Sequence, residues 1–368
     1  MDFIASSAFG LEGIVKKELE SLGINAKGEQ GGARFISDMA GAFKANLWLA
    51  CADRVLLVLK EDTVKSFQEL FDFVQSVAWE DYLPHNAIFP VSGNCVRSQL
   101  MSVSDCQSIT KKAIVERLKR KYRTDWFPEN GIKYQVSITI HNDMARLALD
   151  TSGEALNKRG YRTWVGEAPI RETLAAALVR LSPWLPGQTL YDPCCGTGTL
   201  LIEAAFLASN RAPGLNRQFA MEEWKITDQN ACRELRREAE ERYLPQNIKG
   251  ISGSDIDPEA LKLCEKHLAQ AGLTDLIKVR KMDLRDVRLD TKSPCFLTNP
   301  PYGERLGDQK KSAVIAAALG KLLRNHPGAS LCAITPDTAF EQHAKSRAVS
   351  RRRLYNGRIE CEFLVMKG

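Results

Sequence analysis

In residues 11–23, LEGIVKKELESLG, apolar side chains fall at Leu11, Ile14, Val15, Leu19 and Leu22. That is the spacing of one helical face, and Gly23 supplies the stop. FIASS (3–7) and ARFIS read as strands, MAGAFKANLWLACA as a helix and RVLLVLK as a strand. A second α+β stretch follows. SFQELFDFVQSV is helical, AIFPVSGNCV extended, and SDCQSITKKAIVERLKRKY a long helix capped near Ser104. IKYQVSITIHN and ARLALDTSG pattern as two strands of a hairpin turning at Asn142-Asp143. Between 153 and 169 the periodicity fades into glycine, charge and aromatics, which predicts a domain boundary.

From 170 onward strands alternate with helices, the pattern of a parallel sheet covered on both faces. A helix is predicted over 170–181, then a strand over 189–192, a helix over 199–209, a strand over 250–255 and a helix over 258–271. Strands at 277–281 and 295–298, a helix at 311–324, a strand at 329–335 and two closing strands near 347–354 and 359–366 complete it. The stretch 211–249 is too long for a simple crossover and predicts an insertion with the charged helix NACRELRREAEERYL.

Composition narrows the class. With 368 residues, 44% hydrophobic and 26% charged, the chain can bury a core and has room for two or three domains. A net charge of +6 mildly favours a polyanionic partner. Ten cysteines include no C-x-x-C pair and five histidines are scattered, so a reduced, cytoplasmic protein without structural metal is expected. MDFIASSAFG lacks the basic start and apolar core of a signal peptide, and no run reaches the length of a membrane span.

The chemistry lies where the predicted strands end. DPCCGTGTLLIEAA (192–205) follows a strand and opens a helix. Gly196 and Gly198 let the backbone turn tightly and approach a ligand, beside free helix N–H groups. It is not a phosphate P-loop, because G-x-x-x-x-G-K-[ST] is absent. After the next strand comes GSDIDPEAL, where Asp255 can accept the two hydroxyls of a ribose and Asp257 suits a helix N-cap before Pro258. Asp283 in KMDLRD can accept from an adenine amine or cap a turn. TNPPYGERLG ends the fourth strand with an acceptor amide, two prolines that cannot continue a ladder, and a flat ring.

In this order the four features resemble the class I S-adenosylmethionine-dependent methyltransferases that act on exocyclic amines. The resemblance implies a Rossmann-like, doubly wound α/β fold with S-adenosylmethionine as cofactor. It gives cofactor contacts to Asp192, Pro193, Cys194, Gly196, Thr197, Gly198, Asp255, Ile256, Asp283 and Leu284. It implies that Asn299 Oδ1 and the Pro300 carbonyl accept the hydrogens of the target amine. Pro301 would stiffen the loop and Tyr302 would stack on the base. Cys194 and Cys195 sit in the cofactor loop rather than over a base, which speaks against a covalent cysteine route. His141, His267 and His343 have no partner spacing for metal or acid–base work.

The first 160 residues bear on the substrate. KKAIVERLKRKYR (111–123) carries seven Lys or Arg against one Glu, a surface suited to a phosphate backbone, or simply a solvated charged helix. The span 44–155 resembles a THUMP domain, an RNA-binding module. With GEALNKRGYR, APIRETLAAAL, DPCCGTGT and NPPYGERLG, the whole chain resembles the bacterial 23S rRNA guanine-N2 methyltransferases. That resemblance predicts a ferredoxin-like domain at 1–60, a THUMP domain at 61–155, a junction at 156–169 and the methyltransferase domain at 170–368. It implies that Pro169 to Thr173 line the cofactor pocket. The expected RNA contacts are Lys111, Lys112, Lys119, Arg120, Lys121, Arg123, Arg159 and Arg162, with an interdomain clamp as the other reading of KRGYR. RRR (351–353) is a phosphate contact or an exposed strand end. Some relatives carry a second methyltransferase domain; this chain ends at Gly368, so one active site is expected.

The expected activity is methylation of a guanine N2 amine in 23S rRNA or a large-subunit precursor. Alternatives are an adenine-N6 enzyme on DNA or RNA, a tRNA guanine-N2 enzyme, a small-molecule or protein methyltransferase, and a non-catalytic ribosome assembly factor. NPPY suits both purine amines. A DNA enzyme would be expected to carry a major-groove reading domain, and none is evident.

Overall fold

The first half of the chain folds as β1 (Asp2–Ser6), α1 (Glu12–Ser21), β2 (Ala26–Glu29), β3 (Gly32–Ile36), α2 (Met39–Trp48), β4 (Arg54–Thr63), α3 (Phe67–Gln75), β5 (Val91–Val96), α4 (Val103–Tyr122), β6 (Val136–His141) and β7 (Met144–Asp150). The second half adds α5 (Glu172–Leu181), β8 (Leu190–Asp192), α6 (Thr199–Ala208), α7 (Gln229–Glu241), β9 (Ile251–Asp255), α8 (Pro258–Gln270) and β10 (Lys278–Lys281). It closes with β11 (Cys295–Thr298), α9 (Asp308–Arg324), β12 (Ser330–Thr335), α10 (Phe340–Ala344), β13 (Ala348–Asn356) and β14 (Ile359–Lys367). This computed structural model describes residues 1–162, 170–301 and 308–368, without the side chains of 308 and 309. Tyr302 and Pro169 lie outside the described residues.

One seven-stranded sheet, ordered β2-β3-β1-β4-β7-β6-β5, spans the first half. The ten-residue β4 holds it together. Its first residues pair antiparallel with β1, Ser6 opposite Arg54, and from Leu56 to Thr63 it pairs with β7, Thr63 opposite Met144, with an irregularity between Val58 and Lys60. The β6–β7 hairpin turns at Asn142 and Asp143, whose φ values of 51° and 62° are those of a type I′ turn. Asn and Asp tolerate that left-handed backbone better than other side chains. α4 starts from a Ser102 cap that accepts from Asp105 N, two residues before the Ser104 predicted.

The second sheet is ordered β10-β9-β8-β11-β12-β14-β13, and β14 runs antiparallel to both its neighbours. Strand order reverses between β8 and β11, which is where doubly wound folds bind ligands at the carboxyl ends. The predicted N-cap is in place: Asp257 accepts from Glu259 N at 2.9 Å, ahead of Pro258. Among the described residues no helix is long and apolar enough to cross a membrane.

The insertion 211–249 grips the first half. Gly214 N donates to Leu47 O at 2.9 Å and Met221 N to Thr151 O at 3.0 Å. Trp224 stacks on Tyr134 with ring centroids 5.1 Å apart. Arg217 donates to the carbonyls of Ala155 and Lys158 at 2.7 and 3.0 Å. α7 buries Cys232 and Ala239 and turns its charged face outward.

Candidate active site

β8 ends at Asp192, which is fully buried at the start of the glycine loop. Its Oδ1 accepts from Cys194 N at 3.0 Å. Gly196 and Gly198 have φ of 50° and 80°, and α6 begins directly after Gly198. A Cβ on Gly198 would stand 2.4 Å from Cys264 Sγ, whereas one on Gly196 would meet nothing within 4 Å. The loop therefore lies close to α8 at Gly198 and presents bare main chain to open space at Gly196. Asp255, at the end of β9, ties the loop down: its Oδ2 accepts from Gly196 N at 2.8 Å and its Oδ1 from Asp257 N at 2.9 Å.

A cavity of about 270 Å³ opens at these strand ends, lined by Pro193, Cys194, Asp255, Ile256, Met282, Asp283, Leu284, Arg285, Pro301, Val314, Ile315 and Ala318. Of the residues expected to touch cofactor, it gathers Pro193, Cys194, Asp255, Ile256, Asp283 and Leu284. Asp192, Gly196, Thr197 and Gly198 form the loop adjoining it. Thr173 stands apart from the lining: it is buried, and its hydroxyl donates to Asp53 Oδ1 in the first half at 3.1 Å. The apolar wall of Val314, Ile315 and Ala318 on α9 was not foreseen; its only trace in the sequence is the apolar spacing that follows NPPYGERLG. Ile256 is 61% exposed, an open apolar surface beside the Asp255 carboxylate.

Asp283 is already engaged. It caps the turn 284–286 by accepting from Arg285 N, and its two oxygens pair with the Arg285 guanidinium at 2.9 and 2.5 Å. The Arg285 hydrogen bonds hold its carboxyl down at about 2. An adenine amine would have to share an oxygen with Arg285.

β11 leads to Asn299. Its Oδ1 is buried and has no hydrogen-bond donor among the described residues. Leaving a buried acceptor unmet costs about 1–3 kcal/mol, so this oxygen is placed for a donor other than the described residues. Pro300 has no N–H, and the ladder stops there.

The chemistry of the loop is set by burial. Burial, with the charge of Asp255 adding, lifts the Asp192 carboxyl to about 7. Burial and the charge of Asp192 push the Cys194 thiol well up, while the neighbouring Cys264 and burial do so for Cys195. Neither sulfur is a ready thiolate nucleophile. The raised folded-state value of Asp192 has a consequence for stability. Its contribution is fully present below the unfolded carboxyl value of about 4 and is lost as pH rises through 7. Asp192→Asn should therefore remove a decline in stability between about pH 4 and 7 that the wild type shows. Parallel pH profiles of the unfolding midpoint would rule this out if they stayed a constant distance apart.

Against this geometry, residues 159–364 match a family model, the RMKL-like methyltransferase domain. The chain belongs to the RMKL-like methyltransferase family. Residues 2–56 match the RlmL ferredoxin-like domain and residues 64–150 the THUMP domain. The chain is 39% identical over 362 residues to "Putative RNA methyltransferase YpsC" of Bacillus subtilis, covering 98% of this chain and 94% of that protein. A solved structure, "SMU.472, a putative methyltransferase complexed with SAH", superposes with a TM-score of 0.95 at 38% identity, covering 100% of this chain and 98% of that one. A Listeria monocytogenes structure, "a predicted N6-adenine-specific DNA methylase", gives 0.94 at 39% identity, with 100% and 96% covered.

This RMKL-like methyltransferase uses S-adenosylmethionine, and its residues fit that group. Gly196 leaves main chain bare, Asp255 offers a carboxylate at the cavity, and Ile256 and the α9 wall supply apolar surface. When bound, S-adenosylmethionine supplies an electrophilic methyl group. Asp255 retains lone pairs for a ribose beyond those taken by Gly196 and Asp257. Asp255→Ala should raise the cofactor dissociation constant and spare affinity for nucleic acid. Calorimetric titration with unchanged cofactor affinity would remove Asp255 from the pocket.

Two of the residues expected to face RNA do not. Arg159 is 4% exposed; it bonds to Leu156 O and Ala50 O and pairs with Glu203 at 3.5 Å. Tyr161 OH donates to the same carboxylate at 2.9 Å. Arg162, its side chain 10% exposed, pairs with Glu172 at 3.0 Å and donates to Ile170 O at 2.9 Å. A buried charge needs a partner, and these have found theirs within the protein. KRGYR is the interdomain clamp. A second tie joins Arg180 of α5 to Glu18 of α1 at 2.9 Å. On α4, Lys111 pairs with Glu129 and Lys119 with Glu116, while Lys112, Arg120, Lys121 and Arg123 are exposed. In RRR, Arg351 pairs with Glu341, and all three arginines are exposed on β13.

Proposed function

We propose that the protein transfers a methyl group to the exocyclic N2 amine of a guanine in RNA, on 23S rRNA or a large-subunit precursor. The observation that carries this reading is the buried Asn299 Oδ1, which has no donor among the described residues and stands two positions before Pro301 of the cavity lining. An exocyclic amine carries two hydrogens, one of which can meet that oxygen. With one hydrogen on Asn299 Oδ1 and the other on the Pro300 carbonyl, the nitrogen lone pair is turned toward the donor methyl. No strong base is needed, because positioning and stabilisation of charge growing on nitrogen carry the step.

RNA is favoured by the THUMP match, by the RNA methyltransferase name borne by the Bacillus relative, and by the exposed bases of α4. A second reading, adenine N6, is kept by the name of the Listeria structure, since the same acceptors suit that amine. The test is to supply labelled S-adenosylmethionine with unmodified 23S rRNA, tRNA or DNA in parallel and identify the labelled nucleoside by mass spectrometry. N2-methylguanosine from 23S rRNA is expected. N6-methyladenosine, or label confined to tRNA or DNA, overturns the substrate and leaves the acceptor geometry standing.

A further inference from the structure

His267 has no sequence spacing for metal or acid–base work, yet it is fully buried on α8. Its Nδ1 stands 3.1 Å from Thr197 O in the glycine loop. A carbonyl only accepts, so Nδ1 carries the hydrogen and donates it. A buried imidazole that meets a carbonyl of a helix or strand is ordinary packing. Thr197 O belongs to neither. The ladder of α6 begins one residue later, where Ile202 N donates to Gly198 O at 3.0 Å.

The loop needs such a hold. Gly196 and Gly198 stand at φ of 50° and 80°, and glycines resist little when a neighbouring peptide turns over. The freedom that lets the loop bend would also let it present a carbonyl where it now presents an N–H. The peptide between Thr197 and Gly198 is gripped at both ends, its oxygen by His267 and its N–H by Cys195 O at 2.8 Å. Further along, Cys195 N donates to Ser254 O at 2.9 Å and Gly196 N to Asp255 Oδ2 at 2.8 Å. Asp255 lines the cofactor cavity, so its carboxylate is shared with whatever binds there. His267 is not part of that lining and holds the loop from behind. Cys264, three residues earlier on α8, closes against Gly198 from the same side.

We infer that His267 is a positioning residue for the cofactor. By donating to Thr197 O it fixes the plane of the peptide that leads into α6. The loop main chain is thereby held in its binding conformation before the cofactor arrives, and binding need not order it. This role is independent of which nucleobase is methylated.

The test compares two substitutions in the full chain. His267→Leu keeps apolar bulk and removes the donor. His267→Asn is smaller but places an N–H one bond from Cγ, where Nδ1 stands. S-adenosylhomocysteine is titrated calorimetrically, and hydrogen exchange of the stretch 193–201 is followed by mass spectrometry in the cofactor-free protein. His267→Leu should weaken binding by ~3- to 10-fold, the range of one net hydrogen bond, and should speed exchange in the loop. His267→Asn should restore most of both. A residue that only fills space would give the reverse order, because leucine replaces more of the lost volume than asparagine does. His267→Leu binding as tightly as His267→Asn, or as tightly as wild type, overturns the positioning role. Loop exchange in His267→Leu at the wild-type rate does the same. Circular dichroism checks that each variant is folded, and His267→Met replaces His267→Leu in the comparison should the latter not fold.

Discussion

Asn299→Ala is expected to stop methyl transfer while leaving cofactor affinity nearly intact. The side chain contributes one buried oxygen with no donor among the described residues, just past the end of β11. Removing it takes away an acceptor that holds the amine and meets its growing positive charge. If it behaves as other preorganised polar groups do, the loss is about 2–4 kcal/mol of transition-state stabilisation, or roughly 30- to 1,000-fold in kcat. The cofactor cavity is lined by other residues, so its affinity should hold. Single-turnover rates and a cofactor titration on one preparation make the check. A fall in cofactor affinity as steep as the fall in rate would count against the acceptor role.

Glu203→Ala should produce the largest loss of stability. The carboxylate sits on α6, fully buried, and serves Arg159 at 3.5 Å and Tyr161 at 2.9 Å. Burial raises its carboxyl above the ordinary range and the charge of Arg159 opposes that rise. Truncation would leave a guanidinium buried with its carbonyl partners and only the weaker influence of the Glu172 charge. Breaking such a pair costs about 3–5 kcal/mol, far more than an exposed ion pair contributes. Glu203→Gln keeps hydrogen-bonding capacity and should lose less. Urea midpoints rank the three proteins, and a Glu203→Ala midpoint at the wild-type value would mean that Arg159 is hydrated after all.

What could be read from the sequence was local. The strands of the catalytic sheet are short apolar runs bounded by turn residues, and each lay within a residue or two of its prediction. The Asn142-Asp143 turn and the Asp257 cap follow from side chains that act on their own backbone. Arg159 and Arg162 misled because a run of charge beside glycine looks like surface. Their partners, Glu203 and Glu172, come from a helix behind the glycine loop and from the start of α5, and nothing in the run announces them. The Asp53–Thr173 bond spans 120 residues and was equally invisible. The first half read as two successive α+β stretches, because the pairing of β4 with β1 and β7 depends on contacts far apart along the chain.

That shared strand limits how the protein can be taken apart. The matches to the ferredoxin-like and THUMP domains stop at 56 and resume at 64, and β4 runs from Arg54 to Thr63 across the gap. Cutting there would sever a strand along its length and leave both pieces with raw, ladder-ready edges prone to self-association. The two modules cannot be grafted singly onto another enzyme. A transplant would have to carry the entire seven-stranded sheet as one part.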